Sequence, residues 1–290
     1  MWDTVYCGLR RAYSRSRRGE ASMENRKVAL VTGASGGIGQ AVARGMAREG
    51  WRVYGTSRGV AVGEVVEGNG IAMVRMDVTD DDSVSAAVAL ILAREGRLDA
   101  VVNNAGSGIA GAIEDTSAAE AIAQFDANFF GVVRVCRATL PHLNKTGGII
   151  INISSVAAAT PIAYQAMYSA SKAALEALSA ALRIEAAPQG VRVTSVLPGD
   201  TRTGFTTARR LTATVSPHHE ARLRRSLKRM EHDEQNGAPP QAVAAVVCRM
   251  ARRSHPPVRV AVGTFYKLVL FLKRLLPDRT FNWILGLLYG

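Results

Sequence analysis

With 290 residues, of which 48% are hydrophobic, the chain is long enough for one large α/β core and has neither the composition of a disordered chain nor that of a protein with several membrane spans. Its net charge of +12 lies almost entirely after residue 200, whereas a nucleic-acid binder more often spreads basic and aromatic residues over one surface, so we expect no nucleic-acid partner. The three cysteines, Cys7, Cys136 and Cys248, lie far apart in no metal-binding or redox motif, which favours a reducing, cytoplasmic location.

Residues 1–22 are rich in arginine and serine and contain no apolar stretch long enough for a secretory signal. They are either a transit-like segment or a disordered extension ahead of a true start at Met23. We favour the second interpretation, because the first predicted strand begins almost at once, at Lys27.

From Lys27 onward, short apolar runs alternate with longer helical stretches, which is typical of βα units around a parallel sheet buried on both faces. The predicted strands are Lys27–Thr32, Arg52–Thr56, Ile71–Met76, Leu98–Asn103, Gly148–Ser154 and Val191–Leu197, with a seventh at Val258–Val262. The predicted helices are Gly37–Glu49, Asp80–Arg94 with Thr79 as N-cap, Ala118–Leu143, Gln165–Ala187 ending near Pro188, Arg222–Met230, and one introduced by Pro239 and Pro240. The predicted fold class is α/β: one Rossmann-like, doubly wound parallel sheet over residues 23–263, with helices on both faces and a C-terminal helical extension.

The C-terminal segment 264–290 is expected to form an apolar and basic helical tail. Its runs Phe265–Leu276 and Phe281–Tyr289 are interrupted by charged residues, so neither offers the roughly 20 uninterrupted apolar residues that cross a bilayer. Leucine, phenylalanine and tryptophan beside lysine and arginine suit a helix in a membrane interface, which predicts peripheral membrane contact. Packing on the protein body or on a partner subunit explains the same composition, so the alternatives stay open.

A glycine-rich segment, Thr32–Gly39, lies between the first predicted strand and the first predicted helix. Glycine allows positive φ and lets backbone amides approach a pyrophosphate, while the helix N-terminus adds unpaired N–H groups and a partial positive charge. At the first βα junction of an α/β chain, this pattern predicts a dinucleotide site. The residues assigned to it here are Gly33, Ser35, Gly37, Ile38 and Gly39.

The glycine spacing GxxxGxG resembles that of the short-chain dehydrogenase/reductase family, and further motifs follow in that family's order over about residues 27–203. Asn103-Asn104-Ala105-Gly106 resembles the motif after the fourth strand, and Asp77-Val78 resembles the pair that meets the adenine ring. Pro198-Gly199 followed by Thr203 resembles the segment at the nicotinamide end. The resemblance implies these further cofactor contacts: Asp77, Val78, Asn104, Ala105, Gly106, Tyr168, Lys172, Pro198, Gly199 and Thr203.

The end of the second predicted strand decides between NAD and NADP, because a carboxylate there binds the ribose hydroxyls of NAD and repels the extra phosphate of NADP. The chain has Thr56-Ser57-Arg58 at this point, with no Asp or Glu. Arg58 can form charge-assisted hydrogen bonds to a 2′-phosphate, although a solvated loop arginine is the alternative. The sequence therefore predicts NADP(H), with Ser57 and Arg58 at its phosphate.

Tyr168 and Lys172 are four residues apart in a predicted helix and so share one face. A free tyrosine is a poor acid–base catalyst at neutral pH, and we expect the neighbouring cation to lower its pKa. Ser155 stands 13 residues before Tyr168, which is similar to the family's spacing, whereas Ser154 should point to the opposite strand face. The resemblance implies that Ser155 holds the substrate oxygen, Tyr168 exchanges its proton and Lys172 binds the nicotinamide ribose. It also implies that Asn128 anchors a water on the path to Lys172.

Together these features predict an NADP(H)-dependent oxidoreductase that interconverts a carbonyl and a secondary alcohol. The segments expected to line its substrate site are mainly apolar, which favours a hydrophobic, lipid- or steroid-like substrate; they contain Ile109, Val156, Ala157, Ala158, Pro161, Ile162, Tyr164 and Phe205. A 3-oxoacyl carrier-protein reductase is the alternative, because Arg222, Arg225 and neighbouring cations could face an acidic carrier. A non-catalytic NADP-sensing protein is a weaker one.

Two further expectations concern assembly and metals. The resemblance implies a homodimer or homotetramer built on the two long helices, 118–143 and 165–187. The histidines show no metal-ligand spacing, so no metal is expected; they are His142, His218, His219, His232 and His255.

Overall fold

The structure, a computed structural model, describes residues 26–289 and is built on a central sheet of eight strands. The described residues form ten strands, eight of which belong to this sheet. They are β1 (Val28–Val31), β2 (Arg52–Ser57), β3 (Val65–Gly68), β4 (Ile71–Arg75), β5 (Ala100–Asn103), β6 (Ile109–Ala110), β7 (Ile149–Ile153), β8 (Arg192–Leu197), β9 (Arg210–Leu211) and β10 (Arg259–Ala261). The sheet order is β10-β8-β7-β5-β1-β2-β4-β3, and β6 pairs separately with β9. Every neighbouring pair in the large sheet is parallel except β3 with β4.

Helices cover both faces of the sheet and follow it at the C-terminus. They are α1 (Gly37–Arg48), α2 (Asp81–Glu95), α3 (Ala118–Phe125), α4 (Gly131–Thr146), α5 (Ala166–Ala186), α6 (Phe205–Ala208), α7 (Pro217–Gln235), α8 (Pro240–Arg252), α9 (Thr264–Leu275) and α10 (Asp278–Tyr289). The predicted fold class is confirmed, including the seventh parallel strand, β10. The predicted N-terminal extension, residues 1–22, lies outside the described residues.

The central strand β1 shows why the sheet requires continuous apolar sequence. Successive strand residues point to opposite faces. Val28 and Leu30 belong to a hydrophobic cluster with residues of α2, α4 and α5, whereas Ala29 and Val31 belong to a second cluster with residues of α1 and α8. Both faces of β1 are therefore core, so it has no polar position to give to solvent.

The edge strand β3 is absent from the sequence prediction. It pairs antiparallel with β4 through the two-residue turn Asn69-Gly70, whose φ angles are 52° and 76°. Asn-Gly favours such a turn because both residues adopt positive φ at low cost. The Asn69-Gly70 dipeptide is therefore the sequence feature from which this hairpin could have been predicted.

The structure corrects a second prediction, the identity of the residue that caps the N-terminus of α2. The N-cap is Asp80 and not Thr79: the Asp80 carboxylate accepts hydrogen bonds from the backbone N–H groups of Asp82 (2.9 Å) and Ser83 (3.2 Å). The Thr79 hydroxyl instead donates to the Asp77 carboxylate at 2.8 Å. The acidic side chain is the better acceptor at a helix N-terminus, where the partial charge is positive.

Two other helix predictions differ in extent. The predicted helix 118–143 consists of α3, a π-helical segment at Asp126–Phe130, and α4. A π segment widens the helix by one residue in a turn and often marks a functional position. The predicted helix Arg222–Met230 is the middle of the longer α7.

Candidate active site

The candidate site lies at the carboxyl ends of the parallel strands. The chain passes from β1 to β2 on one side and later to β5 on the other, and such a switch in strand order leaves a crevice. A cavity of about 1620 Å³ opens at this position. The predicted site residues that line it are Gly33, Ser35, Gly37, Ile38, Ser57, Arg58, Asp77, Val78, Asn104, Ala105, Gly106, Asn128, Ser155, Tyr168, Lys172, Pro198, Gly199 and Thr203.

The glycine turn between β1 and α1 requires glycine for two different reasons. Gly33 and Gly37 have φ angles of 65° and 54°, a region that other L-residues rarely adopt. Gly39 is outside the cavity lining, and a Cβ there would lie 2.2 Å from the Gly33 carbonyl oxygen and 2.5 Å from Asn104 Nδ2. Gly39 therefore allows α1 to pack closely on the turn. Glycine is needed at this position for that packing and not for a place in the cavity wall.

The N-terminus of α1 fits the pyrophosphate of a dinucleotide. Its N-cap, Gly36, has extended backbone and offers no side-chain cap, so the first backbone N–H groups of the helix have no partner from a capping side chain. Ser35, Gly36, Gly37 and Ile38 all line the cavity. Unpaired N–H groups at a helix N-terminus bind anions.

The segment after β5 holds the glycine turn in place. The Thr32 hydroxyl accepts hydrogen bonds from the backbone N–H groups of Asn104 (2.9 Å) and Ala105 (3.0 Å). The Asn104 side chain donates to the carbonyl oxygens of Thr32 (3.0 Å) and Gly33 (3.1 Å). The side-chain amide of Asn104 is thus engaged with the turn itself, which preorganises the cradle.

The end of β2 places a second arginine beside Arg58. Arg75 lies opposite Ser57 in the β2–β4 register, and its guanidinium donates to the Arg58 carbonyl oxygen at 2.7 Å. Both arginines help to lower the pKa of Asp77, in addition to its hydrogen bonds from Thr79. Arg75 was not among the predicted site residues, because only strand pairing brings it next to the 57–58 segment.

Three of the predicted catalytic side chains meet on one wall of the cavity. Lys172 is only 6% exposed, its Nζ donates to the Ile153 carbonyl oxygen at 2.9 Å, and it lies 5.9 Å from the centre of the Tyr168 ring. Ser155 and Tyr168 both line this wall, and the Ser155 hydroxyl accepts from the Ala157 N–H at 3.1 Å. Ser154 is buried, with its hydroxyl 3.5 Å from the Lys172 carbonyl oxygen.

The pKa of Tyr168 differs from the expectation. Burial raises it above its ordinary value, and the neighbouring Ser155 hydroxyl offsets this only in part. Burial also lowers the pKa of Lys172 to about 8, since Glu176 offsets only part of that effect. The spacing does place Lys172 one helical turn away, but the burial of the phenol determines the direction of the shift in the Tyr168 pKa.

Asn128 is fully buried in the π segment, and its side chain holds a loop of the cavity. Its Oδ1 accepts from the Ser107 N–H at 2.9 Å, and its Nδ2 donates to the Ser107 carbonyl (3.0 Å) and to the Ser171 hydroxyl (3.1 Å). A Cβ at Gly106 would lie 2.8 Å from Asn128 Oδ1. These hydrogen bonds join Asn128 to the Ser107 loop and to Ser171 on α5, the helix that carries Tyr168 and Lys172.

A buried ion pair beside Tyr168 was also absent from the sequence prediction. The ring of Phe205 lies 5.6 Å from that of Tyr168, and the Arg209 guanidinium lies 5.9 Å from the Phe205 ring. Arg209 pairs with Glu234, and the two side chains are 2% and 15% exposed. These residues come from the segment after β8, where no sequence motif predicts that distant charges will meet.

The C-terminal tail forms part of the cavity wall beside Gly199. The ring of Tyr266 packs so closely on Gly199 that a Cβ there would lie 2.1 Å from it. The Tyr266 hydroxyl accepts a hydrogen bond from the Asp200 N–H at 2.9 Å and donates to the Asp200 carboxylate. Gly199 is therefore required by a contact to the tail.

One group of possible metal ligands lies apart from this wall. Glu114 Oε1 is 2.5 Å from His218 Nε2 and 3.4 Å from His219 Nε2. His218 and Glu114 are exposed. Sequence spacing could not indicate this cluster, because Glu114 lies more than 100 residues before the histidines.

Known proteins of similar sequence and fold identify the family to which this chain belongs. A family model described as short chain dehydrogenase matches residues 27–214. The chain is 40% identical over 271 residues to a 3-ketodihydrosphingosine reductase of Bacteroides thetaiotaomicron, covering 91% of this chain and 98% of the relative. It is 39% identical over 183 residues to an NADPH-dependent 1-acyldihydroxyacetone phosphate reductase of Schizosaccharomyces pombe, covering 62% of each chain. A short-chain dehydrogenase of Streptomyces avermitilis superposes with a TM-score of 0.75 at 32% identity, covering 87% of this chain and 94% of that one. The chain therefore belongs to the short-chain dehydrogenase/reductase family, a family of oxidoreductases.

Proposed function

We propose that this protein reduces the carbonyl group of a lipid-like substrate to a secondary alcohol with NADPH. The observation that carries the proposal is the convergence of Ser155, Tyr168 and Lys172 on one cavity wall, in the same cavity as the uncapped glycine turn. A non-catalytic nucleotide sensor would need the turn but not this wall.

The hydroxyls of Ser155 and Tyr168 lie close enough to share one substrate oxygen. In this proposal Ser155 donates a hydrogen bond to the carbonyl oxygen, and Tyr168 transfers its proton as negative charge develops there. The raised pKa of Tyr168 keeps the phenol protonated at neutral pH, which is the state that reduction requires. When bound, the nicotinamide would supply the hydride.

In this proposal, Lys172 and Asn128 hold other groups in place and do not donate the proton. Lys172 would hold the nicotinamide ribose, and its Nζ is fixed by the Ile153 carbonyl. Asn128 fixes the Ser107 loop against the catalytic helix, and the π segment around it is where we place the water on the path to Lys172.

The preference for NADP(H) depends on charge at the end of β2. We expect Ser57→Asp to invert the ratio of kcat/KM for NADPH and NADH, because a carboxylate beside Arg58 repels the 2′-phosphate and binds ribose hydroxyls. Hydrogen bonds to a charged group contribute about 1.5–3 kcal/mol, so the ratio should change by at least about tenfold. Ser57→Asn, which adds similar volume without charge, is the matched control. An unchanged ratio in Ser57→Asp would exclude this site as the phosphate contact.

A lipid-like substrate is supported by the cavity wall and by the relatives. Apolar side chains from four different regions reach the cavity: Val156, Phe205, Phe265, Val269 and Leu285. Both curated relatives described above are named as reductases of lipid-like ketones.

The deciding experiment measures NADPH oxidation with 3-ketodihydrosphingosine, 1-acyldihydroxyacetone phosphate and a 3-oxoacyl thioester on acyl carrier protein. Turnover of a free lipid ketone supports the proposal. Turnover of the thioester alone would select the carrier-protein reductase instead.

We also propose a homodimer or homotetramer built on the two predicted long helices, 118–143, which consists of α3, the π segment and α4, and 165–187, which is α5. Small side chains on the solvent face of α5, including Ala173, Ala177 and Ala180, are exposed, as is Ile184 at 77%. We expect Ala177→Arg to lower the solution mass measured by light scattering to that of one chain, whereas Ala221→Arg on α7 should not. A wild-type mass of one chain would contradict this assembly.

A further inference from the structure

The two tail helices are apolar on two faces, and only one of these is covered. Towards the body, Tyr266 and Val269 of α9 and Leu285 and Tyr289 of α10 are half-buried, and Phe281 is 6% exposed. A single apolar stripe of this kind is what a surface helix needs to pack on its own domain. Within residues 26–289, nothing covers the opposite stripe of each helix.

We call that second stripe the outer face of the tail. It consists of Phe265, Leu268, Phe271, Leu272 and Leu275 of α9 and Trp283, Ile284, Leu287 and Leu288 of α10, with exposures from 36% to 68%. Within each helix the spacing of three and four residues places these side chains on one side. Exposed apolar surface of this size marks an interaction site in a soluble domain.

Positive charge surrounds the outer face. Lys267, Arg274 and Arg279 are exposed within the tail, whereas Lys273 is paired with Asp278 at 2.5 Å. Helix α7, which packs against α10, presents Arg222, Arg225 and Lys228, and none of these three pairs with a carboxylate among residues 26–289. Two copies of the chain meeting through this face would bring these cations together, whereas an anionic surface would neutralise them.

The outer face is continuous with the wall of the active-site cavity. Phe265 and Leu288 belong to both, and Val269 and Leu285 line the cavity from the inner side of the same helices. Each helix is also tied to the cavity rim by a phenol: Tyr266 bonds to Asp200, and the Tyr289 hydroxyl lies 3.4 Å from the Asp233 carboxylate. An apolar molecule moving along the tail thus reaches the site without crossing a charged barrier made by the tail.

Among residues 26–289 there is no helix with the length and apolar character needed to span a membrane. A short helix with apolar residues on one face and flanking cations instead lies in the plane of the lipid interface.

We propose that the outer face docks on an anionic lipid bilayer and that the substrate passes from the bilayer to Tyr168 between α9 and α10. The entry route rests on the proposed function, whereas docking does not. The tail is then both the membrane contact and one wall of the catalytic cavity.

Docking is tested with the full-length protein by flotation on vesicles of phosphatidylcholine with and without phosphatidylglycerol. We expect binding to anionic vesicles that weakens in high salt and on neutral vesicles. The combined variant Phe271→Ser, Leu275→Ser, Trp283→Ser and Leu287→Ser should lower the bound fraction at least about tenfold, since exposed apolar area provides part of the affinity. None of the four lines the cavity. Val62→Ser, at a residue 82% exposed outside the tail, should bind as the wild type does.

Wild-type binding by the fourfold variant would overturn the docking proposal. So would a wild type that does not float but whose solution mass falls in the variant, because the outer face would then join copies of the chain. Circular dichroism of the variant checks that its helices are intact.

The entry route has a separate test. The fourfold variant should keep its rate on a short, water-soluble ketone and lose most of its rate on a long-chain ketone embedded in anionic vesicles. Equal rates on the embedded ketone would overturn the route while leaving docking in place. Tyr168→Phe should float normally yet lose activity on both ketones, so failure of the proposed function is distinguishable from failure of the docking.

Discussion

Replacing Tyr168 with phenylalanine is expected to lower kcat by roughly 10²- to 10⁴-fold, the range that a positioned general acid contributes. The substitution removes only the hydroxyl. The ring keeps its contact to Phe205 at 5.6 Å and its position near Lys172. The Ser155 hydroxyl still accepts from the Ala157 N–H. The cavity should therefore keep its shape while the proton source is lost.

The measurement is single-turnover oxidation of NADPH with a lipid ketone, combined with fluorescence titration of NADPH alone. We expect NADPH affinity to change less than about threefold, because the glycine turn and Arg58 are untouched. Ser154→Ala is the matched control, since its hydroxyl faces the Lys172 carbonyl and not the substrate. Near-normal turnover in Tyr168→Phe would remove Tyr168 from the mechanism, and loss in Ser154→Ala of the same size would reassign the serine.

The parts of this site that were predictable from sequence are those in which local backbone geometry demands particular residues. The turn between β1 and α1 needs positive φ at Gly33 and Gly37 and close packing at Gly39, so its glycines occur at a fixed spacing. Tyr168 and Lys172 share a helix, and their spacing alone places them on one face. Each of these relations is contained within a few residues.

The parts that were not predictable depend on contacts between distant segments. Arg75 lies beside Ser57 at the end of β2 only through strand pairing. Tyr266 determines the need for glycine at position 199 although the two residues lie 67 positions apart. The sign of the Tyr168 pKa shift follows from burial, which spacing does not report. Such features need the tertiary structure, whatever the local pattern.

Arg209→Ala should lower the free energy of unfolding by about 3–5 kcal/mol. Arg209 is only 2% exposed and is the cationic partner of Glu234. Without it, the Glu234 carboxylate stays buried with the Thr206 hydroxyl, 2.5 Å away, as its remaining hydrogen-bond donor. An uncompensated buried charge is the costly part of breaking such a pair.

The pH dependence of that loss identifies its cause. Burial already raises the pKa of Glu234 in the wild type, although Arg209 opposes the effect. Removing Arg209 should raise this pKa further in the folded state, while the unfolded carboxyl keeps its ordinary value near 4.3. Since a raised folded pKa costs stability once the unfolded group ionises, the loss should be small near pH 4 and grow as the pH rises towards the folded pKa. Urea unfolding at several pH values measures this trend.

A double variant separates the charge from the space that the side chains fill. Arg209→Met combined with Glu234→Leu removes both charges and keeps most of the volume, and replacing a buried pair in this way is often neutral or stabilising. We expect it to recover most of the stability that Arg209→Ala loses. If it recovers stability but not activity on a lipid ketone, then the pair also positions Phe205 against Tyr168, because the guanidinium lies 5.9 Å from that ring. A loss in Arg209→Ala that is independent of pH and not restored in the double variant would mean that packing, and not the buried carboxylate, determines the effect.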